Sequence, residues 1–348
     1  MYFQDLSLAG PCRALRGVGV AVVSLVSIGL TGCLALSLSS RGAPDAEMRQ
    51  FVLRMEAVDL AAGHEGAHVE ALVLRPLWAI VPASGWLHGF EIRLLDADGD
   101  SVPSEVLHHF KVMDPHRREL FSPVVLHLAG GGAENKPVSL PRQAGVPFEK
   151  GDSLLVTAML HNPTGRPIKG VRLEITMRYS PQGSWEPPLS VTPFFTHVTE
   201  PMQEPDYDLP PGVSEQSINI SPAVPGWIIG LGGHLHRYGV LLRLEDVTEG
   251  RVLWEKEPIR SLAGGILEVP FDRFVRSRGP KLLPDHTYRV TAVYDNPTGV
   301  TIPDGGMGTL GGAFVTEEPW PAVDPQAAEY RWYMARELSW SGTQRDPP

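Results

Sequence analysis

Cysteine is nearly absent. The 348-residue chain has two, Cys12 and Cys33, both ahead of its first strand-like segment. The body beyond Cys33 therefore has no disulfide, no thiolate ligand and no cysteine nucleophile. That excludes papain-like catalysis, CxxC redox chemistry and cysteine zinc sites. Basic charge is scarce too: Lys+Arg number 30 against 40 Asp+Glu, a formal net charge of -10. With no basic stripe to neutralise phosphates, a nucleic-acid partner is not expected. Helical periodicity is also thin. Gly 36 and Pro 33 break the chain into short runs, and the stretch from Pro325 (PQAAEYRWYMARELSW) is the best helical segment.

What is present begins with a targeting signal. Arg13 and Arg16 precede the apolar run GVGVAVVSLVSIGL, which ends at Leu30-Thr31-Gly32-Cys33. This pattern resembles a bacterial lipobox, in which the cysteine becomes the lipidated N-terminus. The competing reading is an uncleaved anchor, because Leu34 to Leu38 stay apolar. Either way the chain is expected to be exported to the cell envelope and held at the membrane by a lipid or an N-terminal anchor. Residues 1–33 are assigned to signal peptide and lipobox, and 34–49 to a polar tether.

From Gln50 the sequence reads as β-runs divided by turns. HVEALVLRPLWAIV, GFEIRLLDAD, DSLLVTAMLHN and VRLEITMRYS show alternation or β-branched content. The Pro-rich PQGSWEPPLSVTP then marks a boundary, beyond which SINISPAV, GWIIGLGGHLHRYGVLLRLEDV, YRVTAVYDN and GGAFVTEE continue as strands. No internal repeat of 20–50 residues stands out. The expected fold is all-β, with two tandem jelly-roll-like antiparallel β-sandwich domains at 50–182 and 183–318 and a partly helical tail at 319–348.

Of the 12 histidines, three groups stand out. His234-Leu235-His236 lies in a strand-like run. Residues i and i+2 share a strand face, so the two imidazoles point the same way, ~7 Å apart along the chain. The same pattern also describes two exposed histidines on a polar face. His108-His109 needs a bulge or a strand end to bring both rings together, because neighbours on a regular strand face opposite ways. His161 follows DSLLVTAML and precedes the turn Asn162-Pro163-Thr164-Gly165. A fourth feature is Met307 among glycines, a poor setting for core packing. Imidazole with thioether is a donor set suited to copper, since soft sulfur favours Cu(I). His64 and His68 (HEGAH) match a zincin only in spacing, and Gly63 and Gly66 oppose the helix a zincin needs. A metal-free sandwich, with Trp86, Trp185, Trp227 and Trp254 as contacts or core, is the plainest alternative.

In this order, His108-His109, His161-Asn162-Pro163, His234-x-His236 with Gly239, and Met307 resemble the copper type II, ascorbate-dependent monooxygenases, the peptidylglycine α-hydroxylating and dopamine β-monooxygenase group. The resemblance covers about Gln50 to Thr316. It implies two copper ions, one held by His108, His109 and a third donor, the other by His234, His236 and Met307. The dopamine branch places its third ligand where this chain has Met159; His161 stands two residues on. An all-imidazole site favours His161. The resemblance also implies hydroxylation of an activated C–H bond by oxygen at the methionine-bearing centre, with ascorbate as a reductant. Orienting partners for the imidazoles are sought in Glu105, Asp114 and Asp295.

The substrate, a small molecule or a peptide, does not carry over. Amidating members have an arginine where this chain has Gly232, and Asn and Tyr where it has Thr309 and Gly311. Those departures motivate a second reading, a non-catalytic copper-binding surface lipoprotein for storage, delivery or sensing.

Overall fold

The structure is a computed structural model that describes residues 48–63, 71–132, 138–183, 187–261, 265–274 and 279–339. The lipobox, the anchor alternative, the HEGAH segment and Trp185 lie outside these residues. The described part belongs to one compact unit, Asp45–Pro348.

The first sandwich contains β1 (Arg49–Arg54), β2 (Val58–Leu60), β3 (Leu72–Val73), β4 (Leu77–Ile80), β5 (Gly85–Leu95), β6 (Leu107–Arg118), β7 (Val125–Gly131), β8 (Val138–Ser139), β9 (Ala144–Phe148), β10 (Ser153–Leu160), β11 (Ile168–Pro181) and β12 (Leu189–Ser190). The second contains β13 (Thr192–His197), β14 (Asp206–Leu209), β15 (Gly212–Ile220), β16 (Gly226–Leu235), β17 (Gly239–Asp246), β18 (Arg251–Lys256), β19 (Ile259–Arg260), β20 (Ile266–Arg273), β21 (Lys281–Leu282), β22 (Tyr288–Asn296) and β23 (Ile302–Val315). A helix, α1 (Ala328–Leu338), follows. The chain is thus all-β, two antiparallel sandwiches in tandem. Among the described residues the exception to antiparallel pairing is the short β12–β9 contact, which carries the first sandwich into the Pro-rich segment.

Alternation explains why these segments pair. In β11, Val171, Leu173, Ile175, Met177 and Tyr179 are buried while Arg172, Glu174, Thr176 and Arg178 point away. Side chains on a strand switch faces at every residue, so one face joins the core and the other meets solvent. The first core gathers Phe90, Phe110, Val156, Leu173 and Ile175; the second gathers Phe194, Leu231, Leu242, Val290 and Phe314.

The two sandwiches repeat one topology. The first sheets run β1-β11-β5-β9 and β3-β10-β6-β7; the second run β13-β23-β16-β20 and β15-β22-β17-β18. In both, the chain crosses between layers in the same jelly-roll-like sequence. The final crossover carries Asn-Pro-Thr-Gly each time. Asn162 donates to Ala61 O and Arg166 O and accepts from Thr164. Asn296 donates to Leu209 O, Pro210 O and Val300 O and accepts from Thr298. A buried Asn side chain replaces the backbone partners that a turn cannot supply.

The sandwiches exchange anchors at their seam. Leu120, from the turn between β6 and β7, is fully buried in the second core. Ile229 and Val315 from the second sandwich pack on the first core. Glu119, 1% exposed, accepts from His127 N–H and Nδ1–H and from Phe195 N–H of β13. After β23 the tail returns along β6, where Trp320 Nε1 donates to Arg118 O. Helix α1 then sets Tyr333 against Met113, Val125 and Leu155.

Candidate metal centres

The first cluster is built by a bulge. Strands β6 and β10 pair Met159 with His109 but Leu160 with Leu107, so His108 is the extra residue. A β-bulge re-aims side chains that a regular pleat would send to opposite faces. The His108 and His109 rings accordingly meet edge to face, 4.3 Å apart. His161 sits just past β10, its N–H held by Val106 O, and its ring lies 5.5 Å from that of His108. His161 Nδ1 is buried with no hydrogen-bond partner. Burial lowers the pKa of His161, leaving a neutral ring with a lone pair to give. Met159 faces His109 directly across the pair and borders the same cluster.

The second cluster is placed by register. Strand β23 sets Thr309 beside His234 of β16 and beside His197 of β13, and Met307 beside Asp206 of β14. Directly opposed residues share a face. Leu235 and Leu310 point into the core, and a Cβ at Gly308 would come within 2.6 Å of Ala292 Cβ. His197, His234, Met307 and Thr309 therefore occupy the opposite face. Gly233 lets the strands approach closely, since a Cβ there would lie 2.2 Å from Leu242 Cδ2 and 2.3 Å from Thr309 O. The His234 and His236 rings are 5.2 Å apart, and His236 Nε2 is 3.7 Å from Asp206 Oδ1.

Tyr294 pins this cluster from below. It belongs to the other layer, is fully buried, and sends its hydroxyl through the core. That hydroxyl accepts from His236 N–H and Met307 N–H, each at 3.0 Å, and donates to Met307 O. Burial pushes the Tyr294 phenol up to about 12, so it stays protonated and able to donate.

The two clusters feel one another. His109 is lowered to about 3, first by burial and then by the electrostatic influence of neighbouring His108, Lys111, His234 and His236. His197 is also lowered to about 3, by burial foremost and then by Lys111, His127, Arg336 and His234. Beside them runs a polar chain: His127 Nε2 meets Tyr333 Oη at 2.6 Å, and Lys111 Nζ reaches both Tyr333 Oη and Glu337.

Composition and spacing gave no sign of His197, Asp206 or Tyr294, because each joins the cluster through strand pairing across long stretches of chain. The carboxylate of Asp114, sought as an imidazole partner, instead caps His116 N–H and holds Arg117 Nε. At Gly232 the exposed Phe271 ring lies over the strand, 2.7 Å from where a Cβ would stand, so a side chain there requires that ring to move aside. Among the described residues, the group of His, Asp and Glu with donor atoms all within 4.8 Å is Asp246, Glu249 and His286. Those donors serve one another: Asp246 accepts from His286 Nδ1–H and Glu249 N–H, while Glu249 holds Arg251. Both histidine clusters are more open, Asp206 included in the second, with rings in edge contact rather than all donor atoms converged, so chelation at either calls for rotation about side-chain torsions.

No family model matches the chain and no curated protein matches it. Among solved structures, it is similar to PNGF-II at 10% identity, covering 76% of this chain and 66% of that one with a TM-score of 0.36. It is also similar to a peptide-N(4)-(N-acetyl-β-D-glucosaminyl) asparagine amidase at 9% identity, covering 78% and 98%, with a TM-score of 0.36. Among the described residues no helix is long and apolar enough to cross a membrane.

Proposed function

We propose that this chain is an exported, envelope-anchored copper protein of the monooxygenase-like kind, with one copper ion on each sandwich. The observation that carries the reading is the unpartnered, buried Nδ1 of His161 beside two more imidazoles. A buried nitrogen without a hydrogen bond is costly unless something takes its lone pair. His108, His109 and His161 would hold one ion; His234, His236 and Met307 would hold the other. The donor set fits copper, because neutral imidazoles with a thioether suit Cu(I) better than they suit zinc or magnesium. Bound copper would supply the one-electron chemistry by which oxygen hydroxylates an activated C–H bond, drawing electrons from a reductant such as ascorbate. The protein's own part is to keep the His109 and His161 rings neutral by burial, to fix Met307 and His236 through Tyr294, and to close the seam with α1.

The test is a metal count after copper loading, with oxygen uptake measured in ascorbate. About two copper atoms per chain, falling to about one in His236→Ala, fit the ligand assignment. A count near zero refutes it. Full loading without ascorbate-linked uptake on any C–H substrate favours the non-catalytic copper lipoprotein, a reading supported by Gly232, overlain by Phe271, where substrate-gripping members carry arginine.

A further inference from the structure

We propose that the second centre has a fourth donor, the carboxylate of Asp206, which holds the ion in its oxidised state. This rests on the copper reading above. Asp206 opens β14 and lies directly across from Met307, while on the β16 side His234 pairs with Thr309 and Leu235 with Gly308, and His236 N–H shares the Tyr294 hydroxyl with Met307 N–H. In register, Met307 thus stands between the histidine arm on one side and Asp206 on the other, on the face turned away from the core.

The separation of His236 Nε2 from Asp206 Oδ1, 3.7 Å, is too long for a hydrogen bond. It is within the ~4 Å that two donors span when each lies about 2 Å from one ion. Asp206 Oδ1 is sealed from water and accepts no hydrogen bond. Among the described residues its ion-pair partner is His236. A buried carboxylate oxygen left in that state calls for a cation.

The chemistry follows from ligand hardness. Thioether sulfur favours Cu(I), and carboxylate oxygen favours the harder Cu(II). A centre with two imidazoles, Met307 and Asp206 keeps a strong ligand for either state, so the ion stays bound as its charge changes.

The experiment measures Cu(II) and Cu(I) affinity separately in the full chain, by competition with a chelator specific for each state, and records the Cu(II) paramagnetic resonance spectrum. Asp206→Asn preserves shape and removes the charge. Its Cu(II) affinity should fall roughly tenfold or more, its Cu(I) affinity by less than about threefold, and its spectrum should change as an oxygen donor is lost. Met307→Ile should do the reverse, weakening Cu(I) more than Cu(II). Equal losses in both states for Asp206→Asn, or an unchanged spectrum and unchanged affinities, overturn the assignment of Asp206 while copper at His234 and His236 stands. Wild-type protein that takes up no copper overturns both.

Discussion

Removing the Tyr294 hydroxyl perturbs fold and site together. In Tyr294→Phe the ring still fills its fully buried space, so no cavity forms and the loss is polar alone. Three backbone groups lose a partner: His236 N–H, Met307 N–H and Met307 C=O. An unsatisfied buried group costs about 1–3 kcal/mol, and partial relaxation of the strand end brings the expected total to about 2–4 kcal/mol. For a cooperative unit of this size that is a fall in Tm of about 3–6 °C. Urea unfolding followed by tryptophan fluorescence measures it, with an unchanged slope showing that the folded state stays compact. Copper binding at the second centre should weaken in parallel, with the first centre spared. A destabilisation under about 0.5 kcal/mol would mean that water or a neighbour replaces the hydroxyl, and the account of Tyr294 as the pin would be wrong.

Glu119→Ala strips the acceptor from three N–H groups at the seam and should cost about 3–5 kcal/mol; calorimetry should then resolve two melting steps in place of one. Gly233→Ala drives a methyl group into Leu242 and the Thr309 carbonyl, so it should cost about 2 kcal/mol or more and disturb His234, read from chemical denaturation and copper affinity. His197 binds a proton in the unfolded chain below about 6.5 but in the folded one only near 3. The folded pKa is depressed, so copper-free protein should lose stability as pH falls from 6.5 towards 3, by about 1 kcal/mol per pH unit for this group. His197→Asn should flatten that slope by about one proton, measured by urea midpoints across the range.

The fold was legible because strand alternation is a local property. A reader of VRLEITMRYS sees the buried and exposed faces of β11 without knowing its partners. His234 and His236 were legible for the same reason, since two residues on one strand face need nothing else to be neighbours. His108 and His109 were legible only as a pair in need of a bulge, and the bulge itself belongs to the register between β6 and β10. Asp206 and His197 were hidden because their position depends on which residue of β23 each meets. Tyr294 was hidden more deeply, acting across the sandwich from the other layer. One signal stands in plain view in the sequence: Asn-Pro-Thr-Gly occurs at Asn162 and again at Asn296, marking the same crossover in two copies of one topology.

The placement of Leu120 makes the two halves a lock with parts distributed between them. A gene cut near Val191 would yield a second half whose interior lacks a leucine and a first half left with a bare apolar patch where Ile229 and Val315 should rest. Such fragments would stick to each other, or to strangers, before either behaved as an independent protein.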